Sequence, residues 1–170
     1  DGLLAELVIA GAHDQLVPIH PHPGIVVEAA QDIADVALQD LDETLANRLA
    51  LDGDLAGALA ILEKVHPFID IVEIGTPLIY REGMRAVRQI REHYPQLTLL
   101  ADLKIMDAGA EEATIAFEAG AKIVTVMGVT NRATIQGAIE SARQYAGQIM
   151  VDMMQVTDLV DCSRDLLKMG

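Results

Sequence analysis

The sequence predicts an α/β fold in which helices cover a parallel sheet. From residue 47 onward, short apolar runs alternate with amphipathic stretches, and each pair of elements occupies about 25 residues. The apolar runs are nearly continuous, as expected of strands that are buried on both faces. Residues 47–170 accommodate five such strand–helix units. This number fits a (β/α)8 barrel or a doubly wound sheet, and periodicity alone does not decide between them.

The strands are predicted from their apolar runs, at residues 48–52, 70–75, 97–102, 121–127 and 149–153. The helices are predicted from amphipathic spacing at residues 55–65, 83–93, 108–118, about 131–145 and 157–169. Pro95 blocks continuation of the second helix, and Gly120 suits a left-handed cap after the third. Asn131 or Thr130 can cap the fourth helix.

Residues 1–46 do not follow this rhythm and are treated as a separate segment, either a linker or the end of a preceding domain. Residues 17–24 are proline-rich and should be extended or turning. Residues 25–45 are predicted to form a helix. His20 and His22 could bind a metal, but exposed loop histidines are the more common case. The chain does not begin with Met, which suggests an excerpt of a longer polypeptide.

The composition excludes several classes of partner. The chain has 170 residues, of which 51% are hydrophobic, with 26 acidic and 12 basic residues and a net charge of −14. Such an acidic chain repels nucleic acid and anionic membranes, so neither is an expected partner. The single cysteine, Cys162, allows no internal disulfide and favours a cytoplasmic location. An anionic substrate would need a local cationic or amide site.

Carboxylates fall where the predicted strands end. Because the carboxyl ends of parallel strands converge, Asp52, Glu73 and Asp102 should lie close together. One such carboxylate alone would usually be a helix cap or a solvated strand end. Clustered carboxylates repel each other unless a cation neutralises them. Lys104 supplies one charge from the predicted loop after residue 102, and Mg²⁺ would supply two more, since it prefers oxygen ligands.

The same residues resemble a known suprafamily. The pattern Asp102-x-Lys104-x-x-Asp107 resembles the Asp-x-Lys-x-x-Asp signature of the orotidine monophosphate decarboxylase suprafamily, and residues 70–77 resemble its second-strand motif. Leu103 and Met106 resemble the 3-hexulose-6-phosphate synthase branch, as do residues 124–128 and 151–154. The resemblance covers residues 47–170 and implies a (β/α)8 TIM barrel, of which these residues provide about the first five units.

The resemblance also implies roles. Glu73 and Asp102 would bind Mg²⁺, with Mn²⁺ as an alternative ion. The implied catalytic residues are Lys104, Asp107 and Asp102, and the implied substrate-binding residues are Asp52, Glu73, Lys104 and Asp152. Asp107 would reach into the neighbouring site of a homodimer.

The implied reaction is the aldol condensation of formaldehyde with D-ribulose 5-phosphate through a metal-stabilised 1,2-enediolate, as in formaldehyde fixation by the ribulose monophosphate pathway. The alternatives are a 3-keto-L-gulonate-6-phosphate decarboxylase or a non-catalytic barrel fragment that pairs through its open edge. The family's catalytic His and phosphate-binding turns would follow residue 170. We therefore expect residues 1–170 alone to be inactive.

Overall fold

A computed structural model describes residues 27–28 and 48–169 of the chain. These residues form a six-stranded parallel sheet in the order β1-β2-β3-β4-β5-β6. The strands are Val27–Glu28 (β1), Arg48–Leu51 (β2), Ile71–Ile74 (β3), Thr98–Ile105 (β4), Ile123–Met127 (β5) and Gln148–Asp152 (β6). The helices are Leu55–Val65 (α1), Thr76–Glu82 (α2), Met84–His93 (α3), Gly109–Glu118 (α4), Arg132–Gln144 (α5) and Leu159–Leu167 (α6), with a 3₁₀ turn at His66–Phe68.

The strand order decides between the two folds that periodicity left open. In a doubly wound sheet the strand order reverses at a switch point, whereas here every strand pairs with its predecessor in the chain. Right-handed crossovers that always advance in one direction place all helices on one side of the sheet. The described residues therefore have the (β/α)8 barrel arrangement, and the prediction of the α/β barrel class is confirmed.

Local signals explain most helix boundaries. The side chain of Asp54 caps α1 by accepting a hydrogen bond from the Gly57 N–H at 2.8 Å. Asn131 caps α5 through the Thr134 N–H at 2.9 Å, as its sequence position predicted. Gly120 has a φ of +106°, which confirms the left-handed conformation predicted after α4.

The predictions were wrong in three places. Helix α2 was missed, and it is separated from α3 by Gly83 with a φ of +59°. Strand β4 extends to Ile105 instead of ending at residue 102, so Lys104 lies in a strand and not in a loop. Val27–Glu28 form a strand beside β2 within the predicted helix 25–45. The β-branched run at residues 25–27 favours a strand there. The remainder of that helix, His20 and His22 lie outside the described residues.

The core lies between the sheet and its helices. Val72, Leu99 and Val124 from neighbouring strands are fully buried against Leu62 of α1 and Ile90 of α3. Helices α4 and α5 approach closely at Gly109, where an added Cβ would lie only 2.0 Å from the Thr134 carbonyl oxygen. The apolar side chains of this core point outward from the strands toward the helices. The opposite faces of the strands are therefore available for polar side chains.

Candidate active site

Polar side chains from β2 to β6 meet on the inner face of the sheet. They line a small pocket, here called the interior pocket, which is formed by Arg48, Glu73, Leu100, Asp102, Lys104, Thr125, Met150 and Asp152. Five different strands contribute to it, and its charged residues lie in β2, β3, β4 and β6. In a barrel, side chains from several strands that converge in this way form the usual setting of an active site.

Asp102 is the centre of the hydrogen-bond network in this pocket. Its side chain is buried, and its Oδ1 accepts a hydrogen bond from the Thr125 hydroxyl at 2.8 Å. The Thr76 hydroxyl lies 2.7 Å from Asp102 Oδ2 and 2.8 Å from the Asp102 carbonyl oxygen. Lys104 Nζ donates to Oδ2 at 2.8 Å and lies 3.1 Å from Oδ1. Donors from three segments of the chain therefore fix the Asp102 carboxylate.

Lys104 has an unusual backbone conformation that brings its side chain back over Asp102. Its φ is +49°, and the pairing of β4 with β5 shifts register between Ala101 and Ile105. The Lys104 N–H donates to Thr125 Oγ1 at 2.9 Å, and its Nζ forms a second ion pair with Asp152 at 3.1 Å. A strained position of this kind is often found at functional sites.

The charge of Lys104 is maintained by its neighbours. Burial lowers the pKa of the Lys104 ammonium, but hydrogen bonds and charge attraction from Asp102 and Asp152 outweigh this effect and raise the pKa above its usual value. Lys104 is therefore protonated at neutral pH and can donate hydrogen bonds.

Asp152 is buried at the end of β6, where the sequence predicted a site residue. Its Oδ2 pairs with Lys104, and its Oδ1 accepts the Met154 N–H at 2.8 Å. The second contact fixes the backbone as it leaves the strand. Asp152 thus orients Lys104 and holds the loop that follows β6.

Glu73 is the second acidic residue of the interior pocket. Its Oε2 lies 3.2 Å from Arg48 Nη1, and both side chains are less than one-fifth exposed. Burial raises the pKa of the Glu73 carboxyl, and the charges of Asp102 and Asp52 raise it further. Arg48 and, to a smaller extent, Lys104 lower it in part. A nearby cation therefore favours the ionised form of Glu73.

Asp52 lies directly after β2 and packs against the end of β3. An added Cβ on Gly75 would lie 1.8 Å from Asp52 Oδ1, so only glycine leaves room for this carboxylate. The Gly75 N–H donates to the Leu51 carbonyl oxygen at 3.0 Å, which holds the two strand ends together. The charges of Asp52 and Asp102 both act on Glu73, so the predicted proximity of the three carboxylates holds, although Asp102 lies within β4 and not at its end.

Asp107 is not part of the interior pocket. It is exposed in the turn between β4 and α4. Burial raises the pKa of the Glu112 carboxyl, and the charges of Asp107 and Glu111 raise it further. Asp107 therefore belongs to an acidic group on the outer surface, and the role across a dimer interface that the resemblance implies for it stays a prediction.

The pocket residues fit a magnesium ion only in part. Within residues 27–28 and 48–169, no three His, Cys, Asp or Glu side chains lie close enough to hold a metal by themselves. Mg²⁺ in enzymes is commonly bound by one or two carboxylates, with water and substrate oxygens completing its shell. Glu73 and Asp102 provide two such carboxylates from adjacent strands, so the donor chemistry fits. Both are already paired with cationic side chains.

Three residues of the site were missed by the sequence analysis. Thr76 and Thr125 hold Asp102, and Arg48 pairs with Glu73. Thr125 carried no clear signal in the sequence, and its importance follows from its burial in β5, a strand whose five residues are all buried. Thr76 follows the strand end at Gly75 and could have been found by the rule that found Asp52.

Comparison with known proteins identifies the family. The sequence pattern of the orotidine 5′-phosphate decarboxylase / HUMPS family matches residues 47–168. The chain belongs to this family, which confirms the resemblance stated from its motifs.

Similar proteins include sugar-phosphate enzymes by name. The 3-hexulose-6-phosphate synthase of Bacillus subtilis (strain 168) is 48% identical over 124 residues, covering 72% of this chain and 59% of that protein. The crystal structure of 3-hexulose-6-phosphate synthase from Salmonella typhimurium has a TM-score of 0.73 at 44% identity, covering 74% of this chain and 60% of that one. The structure of 3-keto-L-gulonate-6-phosphate decarboxylase from Vibrio cholerae has a TM-score of 0.67 at 34% identity, covering 70% and 57%. The chain thus spans about three-fifths of the length of these relatives.

No helix among the described residues is both long enough and apolar enough to cross a lipid bilayer.

Proposed function

We propose that this chain carries the metal-binding half of a 3-hexulose-6-phosphate synthase, a carbon–carbon lyase that joins formaldehyde to D-ribulose 5-phosphate. The observation that carries the proposal is the network of Asp102, Lys104 and Asp152 in the interior pocket, with Glu73 on the adjacent strand. Support comes from the name and identity of the Bacillus relative. Leu103 and Met106, which resemble the synthase branch, favour this reaction over the decarboxylation.

Glu73 and Asp102 would hold Mg²⁺, or Mn²⁺ in its place. When bound, the ion would supply the positive charge that stabilises the 1,2-enediolate of the sugar phosphate. Lys104 would donate hydrogen bonds to the substrate oxygens that become negative, because its ammonium group stays charged at neutral pH. Asp52 would accept a hydrogen bond from a substrate hydroxyl at the mouth of the pocket. Asp152 would act there through Lys104, which it already contacts.

The test is substitution of Lys104 by Met in a full-length protein that also carries the catalytic His and the phosphate-binding turns expected after residue 170. We expect formaldehyde-dependent consumption of D-ribulose 5-phosphate to fall by about 10²–10³-fold, the scale of losing one preorganised donor to a developing charge. Lys64→Met is the matched control, because Lys64 is exposed on α1. Equal turnover in the two variants would contradict the proposal. Release of CO₂ from 3-keto-L-gulonate 6-phosphate at a higher rate than the condensation would support the decarboxylase instead.

We also propose a homodimer that covers an apolar groove beside the site. The groove has a volume of about 240 Å³ and is lined by Thr76, Ile79, Tyr80, Met84, Asp102, Leu103, Glu112 and Ile115. Tyr80 is 86% exposed, and Met106 and Ile115 are about half exposed. Exposed apolar side chains around a groove are typical of an interface. A second copy placed over this groove would lie next to Asp102 and close to the exposed Asp107.

A mixing experiment tests the shared site. If Asp107 serves the neighbouring subunit, Asp107→Ala and Lys104→Ala proteins should each be weakly active, and their mixture should regain part of the activity, because one hybrid site is then intact. Subunit exchange is verified with differently labelled proteins. Proven exchange without any recovery of activity would rule out the shared site.

A further inference from the structure

Arg48 occupies an unexpected position in the interior pocket. It is the first residue of β2, its side chain is only 16% exposed, and its Nη1 lies 3.2 Å from Glu73 Oε2. The other pocket cation, Lys104, is directed at Asp102 and Asp152. The acidic side chains of the pocket are therefore paired with two different cationic side chains. Lys104 pairs with Asp102 and Asp152, and Arg48 pairs with Glu73.

This division has a consequence for a divalent cation. A buried carboxylate needs a compensating charge, and Arg48 provides it to Glu73 within the protein itself. A cation held by Glu73 and Asp102 would bring two further positive charges toward the Arg48 guanidinium. Two like charges beside the same carboxylate repel each other strongly, because the partial exclusion of water weakens the screening between them. Arg48 and the metal therefore compete for the same carboxylate.

We propose that Arg48 is a resident counter-ion of Glu73 that stabilises the metal-free protein and weakens its affinity for a divalent cation. The inference rests on the proposed metal site at Glu73 and Asp102. It makes Arg48 a residue that sets metal affinity, without direct contact with the reacting atoms.

Competition predicts two effects of opposite sign when the guanidinium is removed. Without its partner, Glu73 is a buried charge with weaker compensation, so the metal-free fold should become less stable. The same change removes the repulsion, so a metal should bind more tightly. A residue with a merely structural role would lower stability and metal affinity together, and an arginine that only orients Glu73 for the metal would also lower affinity.

The experiment measures Mn²⁺ binding to the full chain by electron paramagnetic resonance, with Mg²⁺ as the displacing ion, and thermal unfolding in EDTA and in Mn²⁺. We expect Arg48→Gln to bind Mn²⁺ at least about tenfold more tightly. One nearby charge changes the pKa of a carboxyl by about 1–3, and the lower end of that range corresponds to a tenfold change in the affinity of the carboxylate for a cation. Its unfolding temperature should fall in EDTA, and Mn²⁺ should raise that temperature more than in the wild type.

Two further variants serve as controls. Arg48→Lys keeps the charge and should stay near the wild-type affinity. Arg85→Gln makes the same change of net charge in an exposed pair with Glu82 at 2.7 Å, and it should leave Mn²⁺ affinity unchanged. If Arg48→Gln does not fold, Arg48→Met retains the aliphatic stem, and the same two effects are expected of it.

The outcomes separate this inference from the metal site on which it rests. Unchanged or weaker Mn²⁺ binding in Arg48→Gln, in a protein whose binding is abolished by Glu73→Gln, overturns the role of Arg48 alone. Mn²⁺ binding that is insensitive to both Glu73→Gln and Asp102→Asn overturns the metal site and the competition together. Tighter binding with lower metal-free stability supports the competition.

Discussion

Two partly buried cations, at opposite ends of the strands, are stabilised in different ways. Near the amino ends of β4 and β5, the Arg91 guanidinium donates to the carbonyl oxygens of Pro95, Leu97 and Gly120 at 2.8–3.1 Å. In the interior pocket, Lys104 pairs with the carboxylates of Asp102 and Asp152. We call the first arrangement the Arg91 clamp and the second the site network.

The pKa shifts of the two cations differ in direction. Burial lowers the pKa of Arg91, because the backbone carbonyls around it carry no net charge. Burial also acts on Lys104, but two carboxylates reverse its effect and raise the pKa. The clamp therefore uses a cation to satisfy fixed backbone groups and stabilise the fold. The site network brings charged side chains together at a position where a substrate or a metal could bind them.

The largest expected effect is on stability, from Arg91→Met. The substitution leaves three backbone carbonyls without their charged donor. We expect the free energy of unfolding to fall by about 3–4 kcal/mol, since hydrogen bonds to charged groups contribute about 1.5–3 kcal/mol each and their losses overlap. Urea unfolding measures the change, with Arg88→Met, exposed on the same helix, as the control. Turnover per folded molecule should stay at the wild-type level. A loss of turnover per folded Arg91→Met molecule would show that the Arg91 clamp contributes to activity as well as to the fold, contrary to this comparison.

The second prediction concerns the link between Asp102 and the Lys104 backbone. The Thr125 hydroxyl donates to Asp102 Oδ1 and accepts the Lys104 N–H, so it fixes both residues. Thr125→Val keeps the shape but removes both bonds. Groups that orient site residues typically contribute 10–100-fold, and we expect a loss of that size in turnover or metal affinity.

The control for this variant is Thr125→Ser, which retains the hydroxyl and should recover most of the activity. The stability of Thr125→Val should fall by about 1–2 kcal/mol, less than that of Arg91→Met. Equal activity of the valine and serine variants would show that the hydroxyl does not position the site.

The elements could be predicted more completely than the contacts between them. The strands and most helices follow from hydrophobic periodicity and caps, both of which are local in the sequence. Helix α2 was missed because its seven residues are too few for a clear amphipathic repeat, although Pro77 in its first turn is a start signal. The extension of β4 past Asp102 depends on a register shift against β5, which no local pattern encodes.

The site shows the same limit. Asp52, Glu73 and Asp102 could be found because charged residues at the ends of apolar strands are unusual. A threonine within a strand is ordinary, so Thr125 did not stand out. The sequence predicts only that Arg48 lies in a strand. Its contact with Glu73 depends on the pairing of β2 with β3, which is seen only in the structure.

The smallest expected effect is a difference in pH dependence, which tests whether Glu73 is held by burial or by its cations. Burial raises the pKa of Glu73 above its ordinary value of 4.5 despite Arg48. The native state therefore binds the Glu73 proton more tightly than the unfolded state, and this group makes stability fall as the pH rises from about 4.5 through the raised pKa. Glu73→Gln cannot ionise, so in EDTA its stability relative to the wild type should increase over that window. Urea unfolding at several pH values measures this, with Glu63→Gln, exposed on α1, as the control for the change of charge. A decrease of this relative stability with pH would instead mean that the effect of Arg48 on the Glu73 pKa is larger than that of burial. Glu73 would then be stabilised mainly by its cationic partner, like the acidic residues around Lys104.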